Sequence, residues 1–201
     1  MWMNAGNPPC RAVFIASEGV LVDTVLGCGS DRRCSPLLTG EFDGLRHLAR
    51  LPVQIFILAG HAPFASSAER RIHSAVQRSL ARQLRAANIT VTAICSYTLP
   101  SPLDRLHGRG ALTRVLRAAR QVHRVDLASS LLITDNLREA AEARSLAVQP
   151  VLVASGRGRR EMARLRPEHM SNPTWFATDL CQAAIAIEAS LCAPADTRAA
   201  V

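Results

Sequence analysis

Acidic and hydroxyl side chains follow two short apolar runs of this chain, and they are the residues best placed to do chemistry. The runs cover residues 12–15 and 131–134, and the side chains that follow them are Ser17, Glu18, Asp135 and Glu139. If each run is a buried strand of an α/β sheet, these side chains lie at the carboxyl edge of that sheet, where such folds bind their ligands. Two other interpretations stay open. Asp135 can cap the helix that follows its strand, and Glu18 can be a solvated loop acid.

The pattern of apolar residues predicts the elements that position these side chains. Strands alternate with amphipathic helices, which predicts an α/β fold with a doubly wound parallel sheet in a three-layer α/β/α arrangement. Loops are predicted at residues 26–38 and 97–108, and a frayed tail at 193–201. We predict strands at residues 12–15, 53–58, 89–95, 131–134, 151–154 and 174–176, and helices at 41–50, 65–87, 111–122, 137–146 and 179–191.

The charge balance indicates the class of partner. The formal net charge is +8, and all 24 basic residues are arginine because the chain contains no lysine. A basic protein favours anionic partners such as phosphorylated metabolites, nucleic acid or acidic proteins. Arginines recur on the predicted helix at 65–87, at Arg71, Arg78, Arg82 and Arg85. Aromatic residues do not interleave with them, so stacking on nucleic-acid bases is poorly supported.

The cysteines and the hydropathy pattern favour a soluble cytoplasmic protein. None of the six cysteines forms a Cys-x-x-Cys pair, so they suit neither an evident zinc site nor a disulfide framework. The N-terminus lacks the layout of a signal peptide. No apolar run approaches the ~20 residues needed to span a bilayer. We therefore expect no membrane contact.

The segment VFIASEGVL, residues 13–21, resembles the first motif of the haloacid dehalogenase (HAD) superfamily of phosphatases. The resemblance implies that Ala16 occupies the position of the aspartate nucleophile. It also implies that Glu18 replaces the aspartate that serves as general acid and base. A methyl group cannot attack phosphorus, and the superfamily reacts through an aspartyl-phosphate. The chain therefore resembles a phosphatase scaffold that lacks its nucleophile.

The second and third motifs of the superfamily are also altered. The second is a strand ending in Ser or Thr, and the matching segment places Ala59 at the hydroxyl position, followed by Gly60. The third supplies a lysine. In this chain Arg105 and Arg109 are the candidates for its charge, although an arginine fork does not reproduce a point charge in a tight site. The resemblance implies that these residues, with Ser17, contact a phosphorylated ligand.

The fourth motif is retained best. It is an acidic cluster after a strand that holds Mg²⁺, and it matches LLITDNLRE at residues 131–139. The resemblance implies Asp135 and Glu139 as metal ligands, together with the backbone carbonyl of Glu18. This set is thin for an ion that takes six oxygens, so we expect weakened Mg²⁺ binding.

Within the superfamily, the chain resembles the capless heptose-bisphosphate and histidinol-phosphate phosphatases. The matching segments include FDGLRHL at residues 42–48, GAL at 110–112 and PVLV at 150–153. This resemblance implies one HAD-like domain over residues 1–201, with a core at about 11–192 and no separate cap domain. Some of these enzymes carry a zinc loop. Here Cys95 remains but Tyr97 stands where histidine would be, so we expect no zinc.

These observations predict a catalytically degenerate HAD-like protein rather than an active enzyme. It would bind a phosphorylated ligand or serve a protein partner in a regulatory or assembly role. One alternative is a weak Mg²⁺-dependent phosphatase acting on sugar phosphates, with Glu18 as the base for direct water attack and Asp135 holding the metal. A second alternative is an arginine-rich protein that binds polyanions or nucleic acid.

Overall fold

Strands and helices alternate along the part of the chain that the computed structural model describes. That part comprises residues 9–22, 41–61, 65–99, 110–165 and 175–192. The strands are β1 (Ala12–Ala16), β2 (Gln54–His61), β3 (Ala93–Thr98), β4 (Leu131–Thr134), β5 (Gln149–Val153) and β6 (Trp175–Ala177). The helices are α1 (Glu41–Ala49), α2 (Ser67–Ala86), α3 (Ala111–His123), α4 (Leu137–Arg144), α5 (Gly158–Met162) and α6 (Leu180–Cys192), with a short 3₁₀ helix at Leu127–Ser129.

The strands form one sheet in the order β3-β2-β1-β4-β5-β6, and neighbouring strands are parallel. The chain order reverses at β1, which pairs with β2 on one side and with β4 on the other. Sheets of this kind bind ligands outside the carboxyl ends of the strands, at the point of reversal. The predicted doubly wound parallel sheet is confirmed, and its topology points to the ends of β1 and β4.

Alternate side chains of β1 enter two different cores. Val13 and Ile15 pack with residues of α1, α2 and α6, whereas Ala12 and Phe14 pack with residues of α3 and α4. Successive strand side chains point to opposite faces, so a strand covered on both faces is apolar throughout. Complete burial of a side chain such as Ile15 or Phe14 contributes about 1.5–3 kcal/mol. The predicted three-layer arrangement is therefore confirmed.

The third strand lies later in the chain than the predicted 89–95. Asn88 follows α2 in a left-handed conformation with φ of 55°, and Ile89 then enters the core at 5% exposure. Pairing with β2 begins at Ala93. The apolar side chains near residue 89 therefore pack the connection between α2 and β3, which is why their pattern resembled a strand.

Other differences are smaller. A short helix, α5, follows β5 where no helix was predicted, and the predicted loop at 97–108 begins two residues too early because Tyr97 and Thr98 belong to β3. The predicted loop at 26–38 and tail at 193–201 lie outside the described residues.

Within the described residues, no helix combines the length and the apolar character needed to cross a membrane.

Candidate functional site

A cavity of about 540 Å³ opens at the carboxyl ends of β1 and β4. Its walls come from the turn after β1, the ends of β2 and β3, the first turns of α3 and α4, and the segment after β5. The lining residues are Ala16, Ser17, Glu18, Leu58, Gly60, Tyr97, Leu99, Ala111, Leu112, Asn136, Leu137, Arg138, Glu139, Glu142, Arg157, Glu161 and Arg164. The cavity thus lies where the strand order reverses.

Backbone hydrogen bonds fix the turn after β1. The Ser17 N–H donates to a carbonyl of β2 at 2.7 Å, and the N–H groups of Leu21 and Val22 donate to the Ser17 carbonyl at 3.0 Å. Gly19 has φ of 79°, in the region that glycine adopts without steric cost. The turn holds the buried Ser17 and the partly buried Glu18 against the cavity.

Asp135 lies beneath this turn at the end of β4, with 1% of its surface exposed. Its Oδ2 accepts a hydrogen bond from the Arg157 backbone N–H at 2.9 Å, and the Arg157 Nε lies 3.4 Å from the carboxylate oxygens. A Cβ built on Gly19 would lie 2.0 Å from Oδ2, and one on Gly156 would lie 2.5 Å from it. The carboxylate is therefore enclosed by two glycine backbones and faces a guanidinium.

Side chains cap the two helices that begin at the cavity. Asn136 accepts a hydrogen bond from the Arg138 N–H at 3.0 Å and caps α4. Glu142 of α4 accepts one from the Thr113 N–H at 2.6 Å, in the first turn of α3, whose own N-cap residue makes no side-chain hydrogen bond. The interpretation of Asp135 as the cap of α4 is therefore wrong, because its neighbour makes that cap.

Glu139 is held in a hydrogen-bonded network inside the protein. Thr134 Oγ1 donates to its Oε2 at 2.6 Å, and Tyr97 Oη donates to its Oε1 at 3.1 Å. Burial raises the pKa of Tyr97 far above its usual value, and the charge of Glu139 raises it further. Tyr97 therefore stays protonated and remains a donor, so both oxygens of Glu139 have partners within the fold.

One arginine is the shared counter-charge of three carboxyl groups. Burial raises the pKa of Glu18, of Asp135 and of Glu139 above their usual values. The positive charge of Arg157 opposes this effect in all three cases. The electrostatics of the cavity floor therefore depend on a residue that follows β5.

Some of the ligand-binding residues predicted from the sequence line the cavity and one does not. Ser17 and Gly60 line the cavity, whereas Ala59 is buried at 1% exposure and is not part of the lining. Arg105 and Arg109 lie outside the described residues. Contact of these residues with a ligand stays a prediction.

Two of the predicted metal ligands lie at the same edge of the sheet, because Asp135 directly follows β4 and Glu139 lies in the first turn of α4. Within the described ranges, no group of three or more His, Cys, Asp or Glu side chains is arranged to hold a metal ion. Cys95 is the cysteine that remains of the zinc loop found in some of the resembling enzymes. It is half-buried, and burial raises the pKa of its thiol. A metal role for Asp135, Glu139 and the Glu18 carbonyl stays a prediction.

Sequence reasoning assigned no role to Arg157, Tyr97 or Glu142. Arg157 follows β5, so it had a positional signal, because the carboxyl ends of parallel strands meet at the same edge of a sheet. Tyr97 had the same signal, because it follows the predicted strand at 89–95, whereas Glu142, within α4, had none. Their partners are 42 and 29 residues away in the chain, and only the packing of β3, α3 and α4 brings them together.

Comparison with known proteins finds its matches among solved structures. No protein-family model matches the chain, and no curated protein matches it in sequence. D,D-heptose 1,7-bisphosphate phosphatase from B. bronchiseptica, solved with magnesium and phosphate, superposes with a TM-score of 0.69 at 21% identity, over 90% of this chain and 99% of that one. A haloacid dehalogenase-like family protein from Streptococcus pneumoniae superposes with a TM-score of 0.51 at 16% identity, over 91% and 99% of the two chains.

The fold is that of the HAD phosphatases. A third neighbour is 3-deoxy-D-manno-octulosonate 8-phosphate phosphatase from Moraxella catarrhalis, solved with a magnesium ion, a phosphate ion and a KDO molecule. It has a TM-score of 0.55 at 15% identity, over 90% of this chain and 87% of that one. At these identities the likeness establishes the HAD-like fold.

Proposed function

We propose that this HAD-like chain binds a small phosphorylated molecule in the cavity and does not hydrolyse it through an aspartyl-phosphate. Ala16 is the observation that carries the proposal. It is the last residue of β1, it is 6% exposed, and it lines the cavity. A methyl group at this point can neither form the covalent intermediate nor ligate a metal ion.

The size and chemistry of the cavity support a small anionic ligand. Its volume of about 540 Å³ lies within the range of about 300–1,000 Å³ that small-molecule sites occupy. Ser17 supplies a hydroxyl donor to its lining, which also carries three arginines (Arg138, Arg157 and Arg164) beside four glutamates. The net charge of +8 favours the approach of anions. Two neighbours of the same fold were solved with phosphate bound.

A protein that binds such a ligand without turnover would act as a sensor or as an assembly partner of other proteins. We place it in the cytoplasm. We propose that Ser17 and Gly60, which both line the cavity, contact the ligand.

One observation favours a second candidate, a weak phosphatase in which water attacks the phosphorus directly. Glu18 lines the cavity, and burial raises its pKa, which moves a carboxylate toward the range useful for a general base. In this candidate Asp135 would hold Mg²⁺. The two candidates differ in turnover rather than in the ligand they bind.

Turnover and binding measured on the same preparation separate the two candidates. The assay uses an aryl phosphate and a panel of sugar phosphates with excess Mg²⁺, and calorimetry follows the binding of inorganic phosphate and of the same sugar phosphates. We expect saturable binding and no hydrolysis above background.

Carboxamide variants supply the control. Glu18→Gln removes the candidate base, and Glu161→Gln removes another carboxylate of the lining, which pairs with Arg164 at 3.1 Å. Mg²⁺-dependent hydrolysis that is lost in Glu18→Gln and kept in Glu161→Gln would establish the phosphatase and contradict the proposal. A wild-type protein that binds no phosphorylated compound would contradict both candidates.

A further inference from the structure

The side chain of Arg157 lies where three carboxyl groups come together. Its Nε is 3.4 Å from the Asp135 carboxylate, and its charge acts on Glu18 and on Glu139. The same side chain lines the cavity and is 48% exposed. A cation held against one buried and two partly buried acids at this edge of the sheet has the electrostatic position that a metal ion would have.

The oxygens present do not fit a magnesium ion. Magnesium takes oxygen ligands at about 2.0–2.1 Å in near-octahedral geometry, with one or two carboxylates among them. Ala16 offers no side-chain oxygen, and both carboxylate oxygens of Glu139 already accept hydrogen bonds. Asp135 accepts a hydrogen bond from the Arg157 backbone N–H and faces the Arg157 guanidinium. Even with Glu18 counted, no three His, Cys, Asp or Glu side chains of the described residues are arranged to hold a metal ion. A dication placed beside that guanidinium would also be repelled by it.

We propose that Arg157, anchored by Asp135, replaces the metal ion of this site and binds the phosphoryl oxygens of the ligand directly. This inference rests on the proposed function and deepens it. It names the ligand class as a phosphate or phosphomonoester dianion, and it makes uptake of that dianion independent of divalent metal.

The chemistry of the guanidinium suits this role. Arginine carries five N–H donors in a planar fork that matches two phosphate oxygens at once. Nε faces Asp135, and the two terminal nitrogens carry four further N–H groups. Asp135 is almost fully buried and also holds the Arg157 backbone amide. The guanidinium is therefore pre-positioned, which reduces the entropy lost when it binds an anion.

The order of the elements explains why this residue reaches the site. Arg157 immediately precedes α5 and follows β5, the neighbour of β4 in the sheet. A Cβ built on Gly156 would lie 2.5 Å from the Gly19 Cα and 2.5 Å from Asp135 Oδ2, so the segment after β5 lies against the end of β4. Arg157 consequently reaches the cavity from the side opposite to β2.

Titration with inorganic phosphate tests the inference. The variants are Arg157→Ala, Arg157→Lys and Arg160→Ala, the last removing an exposed arginine of α5 as the matched control. Each is titrated in excess EDTA and in excess Mg²⁺, after circular dichroism has confirmed its fold. Arg157→Ala keeps the backbone N–H that donates a hydrogen bond to Asp135, so we expect this variant to fold.

We expect wild-type phosphate affinity to agree within about twofold in the two buffers. Loss of a charge-assisted hydrogen bond should weaken binding about tenfold or more in Arg157→Ala. The phosphate affinity of Arg157→Lys should fall between those of the wild type and Arg157→Ala. The affinity of Arg160→Ala should match that of the wild type. Phosphate binding that requires Mg²⁺, or that is unchanged in Arg157→Ala, would overturn the inference while leaving the proposed function intact.

Titration with Mg²⁺ alone gives an independent reading that needs no phosphate ligand. We expect no saturable binding to the wild type. Saturable binding that disappears in Asp135→Asn would show that the metal site exists beside Arg157 and would overturn the inference. A wild type that binds phosphate in neither buffer and hydrolyses no phosphate ester would instead contradict the proposed function, and the inference with it.

Discussion

Glu41→Gln should stabilise the protein at neutral and alkaline pH and leave its stability nearly unchanged near pH 5. Glu41 is the first residue of α1 and is 4% exposed, and its Oε2 has no hydrogen-bond partner among the described residues. Burial, together with the charge of Asp179, raises its pKa from the usual 4.5 to about 7, although the Leu180 N–H lowers it in part. Ionisation at neutral pH therefore takes place in an unfavourable setting.

The sign and size of the effect follow from proton linkage. Between the unfolded pKa of 4.5 and the folded pKa of about 7, the native state of Glu41 binds more protons than the unfolded chain. The free energy of unfolding therefore falls as the pH rises through this window. The difference between these two pKa values corresponds to a change of about 3 kcal/mol at most in the free energy of unfolding. We expect about 2 kcal/mol, because local relaxation admits water to the carboxylate.

Urea unfolding measured from about pH 5 to about pH 8 tests this reasoning, since the midpoint and slope give the free energy at each pH. The control is Asp43→Asn, which removes a carboxylate that is 72% exposed from the same helix. Between about pH 5 and about pH 8, the free energy of unfolding of Glu41→Gln should rise by about 2 kcal/mol relative to that of the wild type. The free energy of Asp43→Asn should change with pH in parallel with that of the wild type. Parallel curves for Glu41→Gln and the wild type would refute the argument.

Three further predictions concern the site. Tyr97→Phe removes a donor to the partly buried carboxylate of Glu139 and should lower the free energy of unfolding by about 1–3 kcal/mol, measured by urea unfolding; an unchanged midpoint would contradict the network. Gly19→Ala combines a positive φ with a Cβ 2.0 Å from Asp135 Oδ2 and should cost at least about 2 kcal/mol in the same assay. Ala16→Asp alone should bind no Mg²⁺ in calorimetry, whereas Ala16→Asp combined with Arg157→Ala should bind it; equal behaviour of the single and double variants would contradict the role given to Arg157.

The doubly wound parallel sheet was predictable because its central strands are covered on both faces. A strand such as β1, with residues 12–16 all buried, has to be apolar throughout, and that pattern is visible without any knowledge of its neighbours. The same reasoning located Glu18 and Asp135 at the carboxyl edge. It was less accurate at Ile89, where burial in a helix-to-strand connection produces the same residue types as a strand.

The partners of the site residues were decided by the tertiary structure. Asp135 and Arg157 are 22 residues apart, and Tyr97 and Glu139 are 42 residues apart. No local periodicity records such pairs, because they depend on how β3, β4 and the segment after β5 pack at one edge. The sequence by itself therefore determined that Ala16 ends the first strand, at the carboxyl edge of the sheet. Only the packing determined that the acid beside it faces a guanidinium, since a buried carboxylate takes whatever donor the fold brings within reach.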